Sequence, residues 1–195
     1  MKTDIITVYH GSNMQVKDPS LSYGRSDADF GSGFYVSCKY EMAEKWACRK
    51  NNPIITEYTL DLRNLSIYEF KQDVEWLDFV IDNRRMDIPS FDIKKYDLLI
   101  GPTADDKLFA TIEQYESGFI SEETAIEVLN CMKIGTQICI RTNEGLKNLH
   151  FEQFIHLSSE RTREVQEQNR RERKTANELT SEIIRNSMRR KNRRI

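Results

Sequence analysis

The chain has 195 residues, a length that fits one domain with an appendage better than two domains and allows a sizeable core. Hydrophobic residues make up 38% of it and aromatic residues 10%, which excludes a wholly disordered chain. No apolar run approaches the roughly 20 residues of a membrane span, and the N-terminus lacks the pattern of a signal peptide. We therefore expect a cytoplasmic protein that does not act at a membrane. The four cysteines show no zinc or disulfide pattern, so no metal site is predicted.

The net charge of −2 conceals an uneven distribution along the chain. Residues 160–195 contain twelve Lys and Arg and six Glu, so this segment carries +6 and the remainder −8. Such an asymmetry is typical of an interaction tail. The sequence predicts one domain over residues 1–157 and a charged, mainly basic tail over 158–195. The tail has no Gly or Pro and is rich in Arg, Glu and Gln, so it is predicted to be helical.

The pattern of apolar residues predicts an alternation of strands and helices along the domain. Strands are expected, in chain order, at 5–9, 34–37, 54–62, 96–100 and 136–142, with a final strand or turn at 151–157. Helices are expected at 40–50, 66–84, 106–115 and 121–132, the last with Ser121 as its N-cap. Residues 13–28 read as a loop and 29–33 as a turn. Strands at both ends with helices between them predict an α+β fold.

Four residues at strand ends, on strand faces or on the neighbouring helix are candidates for a site. His10 closes the first strand and is followed by Gly11, which allows a ligand to approach the backbone. Tyr35 follows the 29–33 turn, Trp46 lies 11 residues later on the next helix, and Gln137 is early in the last clear strand. Taken singly, each also has a structural interpretation: a polar residue near a turn, two core aromatics, and a solvent-facing strand residue.

The order of these residues resembles the diphtheria-toxin-like ADP-ribosyltransferase superfamily, which carries His, Tyr and usually Glu on three core strands. The chain is more closely similar to DUF3990, a bacterial family of uncharacterised proteins placed in that superfamily. The similarity rests on four segments. They are 9–12 (YHGS), 29–35 (DFGSGFY), 75–84 (EWLDFV at 75–80 and NR at 83–84) and 96–107 (YD at 96–97, GP at 101–102 and ADDK at 104–107). It implies an ADP-ribosyltransferase-like split β-sheet core with flanking helices over residues 5–155.

The resemblance implies NAD as a co-substrate and assigns a role to each candidate. His10 would bind a ribose hydroxyl, the backbone of Gly11 would pair with the nicotinamide carboxamide, and Ser12 could add a hydroxyl contact. Tyr35 and Trp46 would form the walls of the nicotinamide slot, where a flat, partly cationic ring gains about 0.5–2 kcal/mol per good aromatic contact.

The third motif position holds Gln137, where active relatives usually have Glu. An amide accepts a hydrogen bond but brings no charge, which argues against poly-ADP-ribose growth and leaves mono-ADP-ribosylation. Asp105 or Asp106 could supply a carboxylate instead, although acids also favour helix N-termini. A branch of the fold that removes RNA phosphates uses additional basic residues, for which Arg25 and Arg141 are the nearby candidates.

The resemblance therefore implies an NAD-dependent mono-ADP-ribosyltransferase that modifies a protein or nucleic acid and releases nicotinamide. By analogy it would be a bacterial toxin or effector, retained in the cytoplasm or delivered to another cell. The alternative is a catalytically weak or inactive module that binds NAD or ADP-ribose and works through a partner. The basic tail has three interpretations: a solvated helix, a helix that docks on a cognate protein or second copy, and a nucleic-acid arm without base-reading aromatics.

Overall fold

A computed structural model of the chain describes residues 4–88, 91–104, 111, 113–131 and 135–192. The strands are β1 Ile5–Ser12, β2 Phe34–Val36, β3 Ile54–Asp61, β4 Ile67–Glu69, β5 Leu98–Pro102, β6 Thr136–Ile140 and β7 Leu149–His156. The helices are α1 Tyr40–Ala47, α2 Val74–Arg85, α3 Glu122–Cys131, α4 Asn143–Lys147 and α5 Ser159–Asn192, with a short 3₁₀ turn at Leu21–Tyr23. The α+β class predicted from the sequence is confirmed.

The strands form two sheets whose backbones are hydrogen-bonded to each other at one point. The first sheet has the order β1-β3-β7 and is antiparallel throughout. The second has the order β2-β6-β5-β4, in which only β4 and β5 run parallel. Tyr9 and Ser37 exchange two backbone hydrogen bonds of 2.8 and 2.9 Å, which link β1 to the end of β2. We call this contact the strand junction.

Three layers of apolar side chains hold the sheets and helices together. Between the sheets lie residues of both, among them Val8, Tyr58, Phe34 and Ile138. The other face of the second sheet is covered by α2 and a group of aromatic rings. The outer face of the first sheet is covered by α1, whose Ala43 and Ala47 pack on Ile55. Both faces of the second sheet are therefore buried, which explains why residues 137–140 of β6 are all buried.

The prediction of one helix over residues 66–84 is wrong in its first part. Residues 67–69 form β4, which pairs with β5, and α2 starts only at Val74. Asp73 is the N-cap, with its carboxylate accepting a hydrogen bond from the Trp76 amide at 3.1 Å. Phe70 continues the helical spacing of the apolar residues, but it enters the core from the end of β4. Spacing alone could not separate a buried strand end from a helix turn.

Other differences concern the ends of elements. β1 continues through His10 and Gly11 to Ser12 instead of ending at residue 9, because these residues pair with β3. β5 starts and ends two residues later than expected and includes Gly101 and Pro102. Ser121 accepts a hydrogen bond from the Thr124 amide, as an N-cap does. The helix expected at 106–115 lies largely outside the described residues.

The tail is helical as predicted, and α5 packs against its own domain, which the sequence did not indicate. At its start Arg161 donates hydrogen bonds of 2.7 and 2.8 Å to the buried carboxylate of Glu44 on α1. Val165 and Ile183 are buried, and the Ser187 hydroxyl bonds to that of Thr124 on α3 at 2.7 Å. None of the described helices combines the length and hydropathy that a membrane span requires.

We expect the packing of α5 to contribute measurably to stability. Ile183→Ala should lower the free energy of unfolding by about 2–4 kcal/mol, because the side chain is only 8% exposed and its removal leaves a cavity. Leu179→Ala on the same helix, where the side chain is 39% exposed, is the matched control and should cost less than about 1 kcal/mol. Denaturant unfolding measures both, and equal losses would contradict this packing.

Candidate functional site

His10 lies just beyond the strand junction, where β1 and β2 separate. Its ring stacks on Phe34, with 4.5 Å between centroids, and its Nδ1 is 2.8 Å from the backbone oxygen of Tyr35. A carbonyl oxygen can only accept, so Nδ1 carries the proton and Nε2 is an acceptor. Burial lowers the pKa of His10 below its ordinary value, and the hydrogen bond to Tyr35 only partly offsets this. The imidazole is therefore neutral at neutral pH and offers an unprotonated nitrogen.

The peptide groups of Gly11 point into the gap between β1 and β2. Backbone groups alternate in direction along a strand, and those of Tyr9 face Ser37 on β2. Those of Gly11, two residues later, face the same way. There the Tyr35 carbonyl accepts from the His10 ring, and on this side of β1 no backbone bond from Gly11 to another described residue is found. On this side the donor and acceptor of Gly11 therefore have no backbone partner among the described residues.

Glycine is required at position 11 for a reason that the sequence did not indicate. A Cβ there would lie 1.8 Å from the backbone oxygen of Ala43 and 2.9 Å from the nitrogen of Ala47, both on α1. The Cα hydrogen of Gly11 that a side chain would replace therefore faces α1. A ligand would approach Gly11 at its peptide groups. The Ser12 hydroxyl donates to the Met14 carbonyl at 2.8 Å and closes a local turn.

Tyr35 is fixed by its hydroxyl to the turn that precedes it. The hydroxyl donates to the Gly31 carbonyl at 2.6 Å and accepts from the Phe30 amide at 3.0 Å. Burial, together with Cys139 opposite it on β6, raises the pKa of Tyr35 well above its usual value, so the phenol stays protonated. Its ring packs with the apolar side chains of α2 and the aromatic rings beside them, whereas Phe34 faces the other sheet. The rings of His10 and Tyr35 therefore lie on opposite faces of β2, connected by the Tyr35 carbonyl.

Gln137 is buried, with 4% of its surface exposed, so it is not a solvent-facing strand residue. Its Nε2 donates to Asp29 Oδ2 at 2.8 Å and to the Pro102 carbonyl at 3.1 Å. Both partners can only accept, so the orientation of the amide is determined. The side-chain oxygen of Gln137 accepts no hydrogen bond from the described residues.

Asp29 is the residue that the sequence analysis missed as a member of the site. Asp29 is 6% exposed, and its carboxylate accepts four hydrogen bonds. Arg84 donates to Oδ1 from Nε at 2.9 Å and from Nη2 at 2.6 Å, while Oδ2 accepts from the Ala104 amide at 2.7 Å and from Gln137. We call Asp29, Arg84, Ala104 and Gln137 the Asp29 cluster. Three of the four segments that carry the family resemblance meet here, which was the available signal.

The turn between Asp29 and Tyr35 is held against α2. Gly31 has a φ of +71°, and a Cβ at this position would lie 2.7 Å from the Asn83 side-chain oxygen. Asn83 donates to the Phe79 carbonyl at 2.7 Å and to the Asp29 carbonyl at 3.4 Å. The turn thus connects the Tyr35 hydroxyl to the Asp29 carboxylate, and through Asp29 it links Tyr35 to Gln137.

None of the other described candidates makes a hydrogen bond or a ring contact with His10, Tyr35 or Gln137. Trp46 is half-buried on α1, and no ring contact joins it to Tyr35 or to another described aromatic side chain. Arg25 is exposed and lies 3.4 Å from Asp27, while Arg141 donates to the Ile93 carbonyl. Asp105 and Asp106 lie outside the described residues. Among the residues that the structure describes, no group of three or more His, Cys, Asp or Glu could hold a metal ion.

We expect the buried His10 to titrate below pH 6.5. Between its folded pKa and 6.5 the unfolded chain binds more protons, so the stability that His10 contributes is complete above pH 6.5 and is lost as the pH falls. An NMR titration of the imidazole resonances tests this, with the His10 signal assigned by its absence in His10→Gln. A pKa at or above 6.5 would show that the ring is not buried as described.

Comparison with known proteins identifies a family and no characterised relative. No curated protein and no solved structure matches the chain. The family model described as "Protein of unknown function (DUF3990)" matches residues 6–151, which is most of the chain and includes both sheets up to the first residues of β7. The match contains His10, Tyr35 and the whole Asp29 cluster, and ends before α5. The chain belongs to the DUF3990 family.

Proposed function

We propose that this protein is an NAD-dependent mono-ADP-ribosyltransferase that modifies a macromolecule. The observation that carries the proposal is the pair His10 and Gly11 at the point where β1 and β2 separate. A neutral imidazole acceptor and a peptide donor and acceptor lie on neighbouring residues there. The fold supports this reading only at the level of two sheets with flanking helices, so the proposal depends on the site.

The chemistry of this gap matches one end of NAD. The nicotinamide carboxamide has one acceptor and two donors, which are complementary to the amide and carbonyl of Gly11. The Nε2 of His10 can accept a hydrogen bond from a ribose hydroxyl, because Nδ1 is already bonded to Tyr35. These contacts would orient the nicotinamide riboside and place its glycosidic bond near the gap.

In the proposed reaction a nucleophilic group of the acceptor attacks C1′ of the nicotinamide ribose. The bond from C1′ to the pyridinium nitrogen breaks, and nicotinamide leaves as a neutral molecule with the bonding electron pair. The attacking group loses a proton to solvent or to a base of the acceptor. The chain itself needs no nucleophile, and its task is to bind and orient the two reactants.

The uncharged Gln137 favours a single transfer over chain growth. A neutral acceptor gives a 2′-hydroxyl about half the hydrogen-bond energy of a carboxylate, so it activates an ADP-ribose hydroxyl poorly. The same observation favours a second candidate, a module that binds NAD or ADP-ribose without turnover. In that case the site would hold the dinucleotide, and α5 or another surface would act on a partner.

Nicotinamide release from labelled NAD distinguishes these functions. We expect the wild-type protein to release nicotinamide with a suitable acceptor, and His10→Ala to reduce kcat/KM by about 10- to 100-fold, the effect of one or two lost hydrogen bonds. His150→Ala, which changes an exposed histidine on β7, is the matched control and should leave the rate unchanged.

Calorimetry with NAD completes the test. Binding that depends on His10, without release under any acceptor condition, would favour the binding module over the transferase. Absence of both binding and release in a folded wild-type protein, or equal rates for wild type and His10→Ala, would contradict the proposed function.

A further inference from the structure

We propose that Asp29 is a positioning residue that holds the Gln137 amide in one orientation and makes glutamine, not glutamate, the residue that fits position 137. In the ADP-ribosyltransferase reaction, on which this role rests, the Gln137 carbonyl oxygen would then be a fixed neutral acceptor for a substrate hydroxyl. Asp29 would act through Gln137 and would not touch the substrate.

The first argument is the direction of the amide. Gln137 Nε2 lies between two acceptors, Asp29 Oδ2 at 2.8 Å and the Pro102 carbonyl at 3.1 Å. Rotating the amide by half a turn would set its oxygen against both of them, so that two hydrogen bonds would be replaced by two repulsive contacts between acceptors. The orientation seen is therefore the stable one, and it leaves the Gln137 oxygen as the group that can accept.

The second argument is that Asp29 itself cannot turn away. Its two oxygens accept four hydrogen bonds, from Arg84, Ala104 and Gln137, and its backbone carbonyl accepts one from Asn83. The Arg84 guanidinium lies 2.6 Å from Oδ1 and balances the charge. The bond from Gln137 to this carboxylate is charge-assisted, which polarises the amide and makes its oxygen a better acceptor than that of a free amide.

The third argument is electrostatic and concerns glutamate, the residue expected at position 137 by analogy. A glutamate in place of Gln137 would set a carboxylate oxygen against Asp29 Oδ2, where an N–H now bridges the 2.8 Å between the two side chains. Two buried carboxylates at this separation cannot both ionise, so one of them must hold a proton. The substituted carboxyl would therefore not supply the free charge that this position has in active relatives. The Arg84 guanidinium is already paired with Asp29, so its single charge would not also neutralise a second carboxylate at position 137.

The thermal stability of charge variants at positions 29 and 137 tests the Asp29–Gln137 pair without any assumption about activity. We expect Gln137→Glu to lower the midpoint of thermal unfolding more at pH 8 than at pH 5. The folded state raises the pKa of the new carboxyl, and the repulsion grows as the pH rises above that of an unfolded Glu, about 4.3. The double variant Asp29→Asn, Gln137→Glu moves the charge from one position to the other and should recover a large part of the loss at pH 8.

A matched control comes from β7. Gln153 also donates to a carboxylate, that of Glu57, at 2.8 Å, but this pair is exposed. Gln153→Glu should cause little change at either pH, because solvent and salt screen the repulsion. If Gln137→Glu behaves like Gln153→Glu, or if the double variant loses the sum of both single effects, the proposed pairing is wrong.

The kinetic test addresses the positioning role. In the nicotinamide-release assay, Asp29→Asn should lower kcat by about 10-fold or more with little change in KM for NAD, because His10 and Gly11 keep their contacts while the Gln137 amide can rotate. Gln137→Glu should not raise kcat. A rise in kcat in that variant would overturn the proposal, since it would show a free carboxylate beside Asp29. Should wild type release no nicotinamide, the proposed function fails, and the unfolding data alone still decide the Asp29–Gln137 pairing.

Discussion

The buried carboxylate of Asp29 is the interaction on which the arrangement of the site depends. It joins four segments that are far apart in the chain: the turn before β2, the end of α2, the strand end at 102–104 and β6. A buried charge is costly unless it is paired and fully hydrogen-bonded, and Asp29 meets both conditions through Arg84 and two further donors. Loss of one donor would leave that cost unbalanced, so the four segments hold their places together.

The second constraint is the place where the two sheets part. β1 is bonded to β3 along its length but to β2 only at Tyr9 and Ser37. Beyond that contact the strands separate, and the His10 side chain takes the carbonyl that a neighbouring strand would otherwise bond. The consequence is that Gly11 has no backbone partner on the β2 side among the described residues, while α1 lies against its Cα. Unpaired backbone groups of this kind can bind a ligand, whereas fully paired strands offer none.

Local patterns predicted the class of the fold, the strands that carry His10, Tyr35 and Gln137, and the helical tail. These features depend on alternation and spacing within a few residues. The role of Asp29 could not be predicted in this way, because its donors come from positions 55 and 108 residues further along the chain. In the sequence it reads as an ordinary turn residue. For the same reason the packing of Arg161 on Glu44, across 117 residues, was not anticipated.

The account claims that the nicotinamide end of NAD binds where β1 and β2 separate, at His10 and Gly11. A crystal structure of the protein soaked with NAD tests this most directly. We predict that the carboxamide bonds to the amide and carbonyl of Gly11 and that a ribose hydroxyl lies within hydrogen-bond distance of His10 Nε2. Density for the dinucleotide elsewhere on the protein, with the gap at Gly11 empty, would contradict it.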